Sequence, residues 1–507
     1  MKKTKIVCTL GPATDDPNVL EQIMKLGMDV ARMNFSHGDH AEHKRRFDAV
    51  KELRERMRLP VAIMLDNKGP EVRIKQFAKG SAVLKEGKPF ILTGEDVAGD
   101  ETKVSVTFSD FYKEVQKGSV ILIDDGLIRL TVQKVVGKEI HCMVENGGEL
   151  KNNKSINIPG VDLPLPSLTE KDISDIKFGI ENGMDFIAAS FVRSADDVLN
   201  IRNALEENGG ATVKIISKIE SRSGVERIDE IIELSDGIMV ARGDLGVEIP
   251  PEEVPIVQKH IIRQCNVAGK PVITATQMLD SMIRNPRATR AEVGDVANAI
   301  FDGSDAVMLS GETAAGKYPV EAVETMIRIA ETAEASLDVD AHYSRDFTGE
   351  ETVTNIIGYA SCSTAESLHA KAIITPTSSG YTARMISKFR PHARIVAVMD
   401  KPYVQRQLSL TWGVESILFD ECENFECILH ESFVMATERG IVEEGDLVVI
   451  TAGLPIYVSG TTNSIRVETV GHYVLRGTGI GKRTVRGRIR IVKRGECVEI
   501  QPGEIIA

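Results

Sequence analysis

The chain has 507 residues, a formal net charge of −13, an isoelectric point near 5.4 and an apolar content of 42%. That length exceeds what one hydrophobic core supports and points to about three domains. The acidic balance argues against a general nucleic-acid or anionic-membrane surface, and no apolar run approaches the roughly 18 to 20 residues of a membrane span.

The opening MKKTKIVCTLGP is broken by Gly11 and Pro12 too soon for a signal-peptide core, so a soluble, cytoplasmic protein is expected. The seven cysteines are scattered, and only Cys422 and Cys427 lie close, at a spacing unlike the usual zinc pairs. A reducing compartment is the natural reading.

Eight apolar runs follow in order: KIVCTLG from Lys5, DVARMNFS from Asp29, VAIMLD from Val61, DFIAASFV from Asp185, VKIISKIE from Val213, GIMVARGD from Gly237, PVITATQ from Pro271 and AVMLSGET from Ala306. Their β-branched, nearly continuous hydrophobicity suits strands buried on both faces, as in a parallel sheet. Amphipathic helical patterns at 17–26, 40–57, 196–208 and 252–268 separate several of them. Eight β-then-α units predict an α/β fold, a (β/α)8 TIM barrel over 1–70 and 166–337, with an open doubly wound sheet as the alternative. In a barrel, Arg32, Asp66, Lys218, Glu220, Asp244, Thr276 and Glu312 would converge at one mouth.

Residues 71–165 change character to short alternating strands with turns at Lys79-Gly80, Glu86-Gly87, Lys117-Gly118, Asp125-Gly126 and Gly147-Gly148. This reads as a small all-β domain inserted at the mouth, either a lid or a rigid insertion. After a polar linker, the runs AIITPT, RIVAVM, ESILF, LVVITAG and SIRVETV predict a separate α/β domain within 338–470. Residues 471–507 are too few for a core of their own.

Glu220 and Asp244 end adjacent strands and suit Mg²⁺ or Mn²⁺, which takes one or two carboxylates plus substrate oxygens. Lys218, two residues before Glu220, lies on the same strand face and would aim its ammonium at whatever the metal binds. The backbone around Gly243 can receive a carboxylate or phosphate, and the Thr276 hydroxyl can bond an anion or pass a proton, unless it caps backbone. Arg32 and Arg73 suit phosphate oxygens. Asn34, Ser36 and Asp66 form an oxygen set suited to a weakly charged cation such as K⁺.

The motifs RMNFSHG, LDNKGPEVR, SFVRSADD, SKIES, MVARGDLGVE, ATQMLDSM and MLSGETAAGKYPVEAV, in this order, closely resemble those of the pyruvate kinase family. The resemblance implies transfer of phosphoryl from phosphoenolpyruvate to ADP, giving pyruvate and ATP, with Mg²⁺ at Glu220 and Asp244. It implies a catalytic set of Lys218, Thr276 and Arg32, with Gly243 and Thr276 near the substrate carboxylate. Arg32, Asn34, His37, Arg73 and Lys154 match positions around the nucleotide. Asn34, Ser36, Asp66 and the Asn67 carbonyl match the K⁺ site, and Glu71 matches K⁺-dependent members. Three positions depart from the family pattern: Asn67 for Thr, Ser221 for Asn and Ala315 for Lys.

PTSSGYT resembles the family's effector loop, making Thr377, Ser378, Ser379, Gly380 and Thr382 candidates for a phosphorylated effector. Tyr381 stands where many sugar-bisphosphate-activated members carry Lys or Arg. The tail from Leu475 resembles the start of an extra C-terminal domain found in some bacterial members, but stops early and lacks its histidine signature. The family is usually homotetrameric. Competing readings are a metal-dependent lyase or aldolase acting on a pyruvate enolate, and a non-catalytic sugar-phosphate sensor.

Overall fold

The computed structural model describes residues 2–337, 352–419, 422, 424–454, 462–471, 487–490 and 504–506. The first three strands are β1 (Lys5–Thr9), β2 (Val30–Asn34) and β3 (Ala62–Asp66). Eight short strands follow: β4 (Ser81–Leu84), β5 (Pro89–Thr93), β6 (Lys103–Ser105), β7 (Val120–Ile123), β8 (Ile128–Val136), β9 (Glu139–Asn146), β10 (Gly148–Lys151) and β11 (Ile156–Asn157). Then come β12 (Phe186–Ala189), β13 (Lys214–Ile219), β14 (Gly237–Ala241), β15 (Val272–Ala275) and β16 (Ala306–Leu309).

Strands β1 to β3 and β12 to β16 close a parallel barrel in the order β1-β16-β15-β14-β13-β12-β3-β2. Closure explains the continuous apolar runs, because both strand faces are buried. On β1, Val7 points to a lumen cluster with Val30, Met64, Ile216 and Ile273, while Ile6 and Cys8 join the layer between strands and helices. The open-sheet alternative is excluded. Polar residues just beyond each run come to one rim because the strands are parallel and in register, with Asn34 opposite Asp66 and Asp66 opposite Ala188.

The inserted strands form a pair, β10-β4, and a six-stranded sheet, β11-β7-β8-β9-β5-β6, around their own core of Phe90, Leu92, Phe111, Ile121 and Leu130. The β7–β8 turn carries consecutive left-handed residues, Asp124 (φ 58°), Asp125 (φ 52°) and Gly126 (φ 83°). Those conformations favour Asp and Gly over bulkier types. Asn157 Nδ2 donates to Glu248 Oε1 (2.9 Å), and Arg193 of the barrel donates to the carbonyls of Leu163 (2.8 Å) and Leu165 (2.9 Å). The insertion therefore lies against the rim.

The second α/β unit holds β17 (Ala372–Pro376), β18 (Arg394–Met399), β19 (Val414–Leu418), β20 (Leu447–Gly453) and β21 (Thr462–Thr469), ordered β19-β18-β17-β20-β21 with β21 antiparallel at the edge. It docks under the barrel. Leu410 enters the lumen cluster from that side, Arg390 Nη1 reaches Asp305 Oδ1 (3.1 Å), and Arg406 Nε reaches Asp185 Oδ1 (2.7 Å). Both acids sit beside the N-terminal ends of barrel strands, far from the rim that carries the candidate site.

At the same junction, Lys388 Nζ donates to Val267 O (3.1 Å) and Asn355 Oδ1 (2.8 Å), yet burial pushes its ammonium down to about 8 from 10.5. Because its folded value lies below its unfolded one, the unfolded chain binds more protons between those values, and stability rises with pH across that window. Melting temperature measured against pH is expected to lose this component in Lys388→Met; an unchanged profile would contradict it.

Cysteine usage differs from the sequence expectation. Cys422 and Cys427 form a disulfide at the start of the helix Phe425–Glu438, because the turn into that helix brings their Cα atoms to 5.8 Å. Cys8, Cys142, Cys265 and Cys362 are buried, and burial pushes the Cys142 thiol up to about 12. Among the described residues no helix is long and apolar enough to cross a membrane. The expected linker and most of the expected tail lie outside the described residues. The parts of the tail that are described pair β22 (Arg488–Arg490) with β23 (Glu504–Ile506) in parallel.

Candidate active site

Lys218 is the centre of the rim. It projects from the end of β13, is 8% exposed, and its Nζ lies 3.1 Å from Asp66 Oδ1, 2.9 Å from Glu220 Oε1 and 2.8 Å from Ser190 Oγ. Burial opposes its charge, but Asp66 and Glu220 outweigh burial and hold the ammonium above its ordinary value. It is therefore a fixed, permanently charged donor at neutral pH.

Glu220 and Asp244 come together as expected. Glu220 is 1% exposed and accepts the Phe191 N–H at 2.6 Å. Burial raises the Glu220 carboxyl, Lys218 opposes the shift and Asp244 adds to it; burial likewise raises Asp244. Two facing carboxylates with one shared ammonium leave an excess of buried negative charge. A cation between them would relieve it.

Next to them, the N–H of Gly243 donates to Thr276 Oγ1 at 2.8 Å, joining the two groups expected to hold an anion. Thr276 (φ 69°) and Gln277 (φ 53°) are both left-handed, a costly conformation for a β-branched residue. Arg242 holds it there: Nη2 donates to the Thr276 carbonyl (2.7 Å), Nε to that of Ala275 (3.2 Å), and Nη1 pairs with Asp295 (2.7 Å). Glu312, expected at the mouth, accepts the Leu279 N–H (3.0 Å) and the Ser310 N–H (2.7 Å), tying two rim loops together.

Across the rim, Arg32 Nε donates to Asp66 Oδ2 (2.7 Å) and Nη1 to Thr9 Oγ1 (2.8 Å). Burial opposes ionisation of Asp66, but Arg32 and Lys218 outweigh it and hold the carboxyl below its usual range. Asn34 Oδ1 accepts from the Ser36 N–H (3.0 Å), and Ser36 and His37 are exposed at the turn that follows β2. Asn67 is 1% exposed, with Oδ1 accepting the Ser190 N–H (2.9 Å) and Nδ2 donating to Asp172 (3.0 Å). Two expected phosphate ligands are engaged elsewhere: Arg73 with Glu71 (2.8 Å) and the Asn153 carbonyl (2.7 Å), Lys154 with Asp124 (2.7 Å).

A cleft of about 430 Å³ lies between the insertion and the rim, lined by Glu71, Asp125 and Asn157 on one side and Glu220, Asp244 and Glu248 on the other. Ser190, Phe191 and the Arg242 side chain belong to this site and were not singled out from sequence. Ser190 did carry a signal, since it is the polar residue that interrupts the DFIAASFV run just after β12 ends. In the second α/β unit, the segment of Thr377, Ser378, Ser379 and Gly380 leaves β17 and enters the helix Tyr381–Ser387, with Gly380 at φ 75°. Thr382 turns inward, its hydroxyl 2.8 Å from that of Thr462.

Comparison with known proteins bears on the fold and the family. A family model described as pyruvate kinase, barrel domain, matches residues 1–323, and one described as pyruvate kinase, alpha/beta domain, matches 355–468. The chain is 52% identical to the pyruvate kinase of Sporosarcina psychrophila over 499 residues, covering 97% of this chain and 85% of that one. It is also 52% identical to that of Staphylococcus aureus strain MRSA252 over 502 residues, covering 98% and 86%. A crystal structure of a pyruvate kinase from Cryptosporidium parvum superposes with a TM-score of 0.88 at 40% identity, covering 93% of this chain and 96% of that one. Neither the lyase nor the sensor reading finds support beside these matches. A closed barrel whose rim gathers one fixed ammonium and two unbalanced carboxylates, matched along nearly its whole length, makes the chain a member of the pyruvate kinase family, which exchanges phosphoryl between phosphoenolpyruvate and ADP.

Proposed function

We propose that phosphoryl transfer from phosphoenolpyruvate to ADP occurs at the Lys218 rim, with Glu220 and Asp244 as ligands for Mg²⁺ or Mn²⁺. The observation that carries the reading is Lys218 itself, an ammonium held between Asp66 and Glu220 at 3.1 and 2.9 Å. Phosphoryl transfer asks a protein mainly to position its reactants and neutralise charge. Lys218 does both, offering a directed N–H to an oxygen of the migrating group while its two carboxylates restrain its position. The metal, when bound, supplies a Lewis acid for phosphoryl and enolate oxygens. The excess negative charge at Glu220 and Asp244 fits such a cation.

Asn34, Ser36, Asp66 and the Asn67 carbonyl are the K⁺ ligands in this reading. Their donor set fits, being four hard oxygens with one negative charge that Arg32 and Lys218 already counterbalance, so only a weakly charged ion is favoured. K⁺, when bound, supplies positive charge with little demand on geometry. Gly243 and Thr276 orient the substrate carboxylate, and Thr276 stands beside the route by which the enolate carbon gains its proton. Arg32, Asn34, His37, Arg73 and Lys154 serve the nucleotide phosphates. For Arg73 and Lys154 this requires exchange of Glu71 and Asp124 for phosphate, a stronger partner for both.

The same reading divides the chain into a catalytic barrel (1–70 and 166–337), a lid (71–165), an effector-binding unit (338–470) and an extension (471–507). It assigns a phosphorylated effector to Thr377, Ser378, Ser379, Gly380 and Thr382, a homotetrameric assembly and a cytoplasmic location. The direct test is pyruvate formation from phosphoenolpyruvate and ADP with Mg²⁺, with and without K⁺. Turnover requiring both ions supports the site; full turnover without Mg²⁺ sinks the metal assignment.

A binding measurement adds a sign to this. The raised carboxyls of Glu220 and Asp244 keep their protons to higher pH than ordinary carboxylates, and protons compete with metal. The melting-temperature rise produced by Mg²⁺ is therefore expected to shrink as pH falls from about 8 to about 6. A rise independent of pH would contradict the assignment.

A further inference from the structure

Ser190 lies where the two cation regions meet. It is the first residue after β12 and is 4% exposed. Its Oγ is 2.8 Å from Lys218 Nζ, 2.7 Å from the Asn67 carbonyl and 3.4 Å from Asp66 Oδ1. An ammonium only donates, so Ser190 Oγ accepts from Lys218. Its single hydroxyl proton then goes to the nearer acceptor, the Asn67 carbonyl. That carbonyl has a second lone pair, so it can bond Ser190 and a cation together.

The backbone at this point is fixed independently of the hydroxyl. The Ser190 N–H donates to Asn67 Oδ1 (2.9 Å), and the next residue, Phe191, is left-handed (φ 56°) with its N–H on Glu220. Gly69 presses on the same segment, since a Cβ there would stand 2.8 Å from Ser190 Cβ. One dipeptide thus addresses both flanks of the candidate site: the hydroxyl of Ser190 directs Lys218, and the amide of Phe191 directs Glu220. Removing the hydroxyl leaves these backbone bonds in place.

We propose that Ser190 is a positioning residue that couples occupancy of the monovalent-cation site to the placement of Lys218. With a cation bound there, the Asn67 carbonyl would be held in one direction, so that it would hold the Ser190 proton and leave the hydroxyl lone pair turned to Lys218. Without the hydroxyl, Lys218 keeps only Asp66 and Glu220 as partners and is drawn toward them, away from the substrate. The inference rests on the proposed roles of Asn67 and Lys218.

The test uses the full chain and its Ser190→Ala and Ser190→Cys variants. Turnover, KM for phosphoenolpyruvate and the dependence on KCl are compared with tetramethylammonium chloride as the inert salt. A second readout is the rise in melting temperature produced by KCl without substrates. Ser190→Ala is expected to lower kcat about 10- to 100-fold, the loss of one hydrogen bond to a charged group, while KM stays within about threefold. Stimulation by K⁺ should largely vanish, yet the K⁺-induced melting rise should persist, because the proposed ligands Asn34, Ser36, Asp66 and Asn67 are intact. Ser190→Cys should resemble Ser190→Ala, since a thiol fills the space but bonds weakly.

Recovery of kcat in Ser190→Cys would overturn the proposal in favour of simple packing. Loss of the melting rise in Ser190→Ala would also overturn it, by making Ser190 part of cation binding rather than of coupling. A parent protein stimulated by K⁺ together with a Ser190→Ala variant of parental kcat and K⁺ response removes the coupling and leaves the site assignment standing. A parent indifferent to K⁺ removes both.

Discussion

Lys218→Met is expected to lower pyruvate formation by about a thousandfold or more, with the protein still folded. Methionine retains the length and apolar stem of lysine but provides no charge. The loss is large because the neighbouring rim guanidiniums are already bonded to protein groups, Arg32 to Asp66 and Thr9 and Arg242 to the backbone of Ala275 and Thr276. Asp66 would keep Arg32 as a cationic partner, whereas Glu220 would lose the ammonium that balances it and keep the Phe191 amide. The variant should therefore lose melting temperature without Mg²⁺ and recover part of it when Mg²⁺ is added. Turnover within about tenfold of the parent would remove Lys218 from the chemistry.

The second large effect belongs to the junction under the barrel. Arg390 is 6% exposed, pairs with Asp305, donates to the Gly303 carbonyl (2.7 Å) and Asn266 Oδ1 (3.0 Å), and lies over the Trp412 ring. Arg390→Ala strands the buried Asp305 carboxylate and opens a cavity. Breaking a buried pair in this way costs about 3 to 5 kcal/mol. Arg390→Met combined with Asp305→Asn should cost less than the single change, since it leaves no uncompensated charge. Urea denaturation of the three proteins measures this, and a single-variant loss under about 1 kcal/mol would show that the pair contributes little.

Much of the fold could be read from local pattern. The eight runs, five of which carry Arg32, Asp66, Lys218, Glu220, Asp244 and Thr276, lie in the barrel strands or at their carboxyl ends, because a strand buried on both faces must be apolar throughout and can become polar only where it leaves the core. The change to alternating pattern after Glu71 marked the inserted sheets for the same reason: their strands have one face toward solvent, as the alternating burial of β8 and β9 shows. The closeness of Glu220 to Lys218 also followed from spacing alone.

What lay outside that reach depends on contacts between segments distant in the chain. Nothing local in ATQ makes Thr276 left-handed; Arg242 and the Gly243 amide, more than 30 residues earlier, hold it so. Cys422 and Cys427 are close in sequence, but only the turn into the following helix pairs them. Leu410 is an ordinary leucine until the second α/β unit docks and seats it in the barrel lumen. The sequence by itself determined which side chains reach the rim, through strand periodicity and the apolar-to-polar change at each strand end. Only the tertiary structure decided what each rim group bonds, that Glu312 ties loops while Ser190 meets Lys218, because those partners are chosen by the register between strands and by which charges must be balanced once water is excluded.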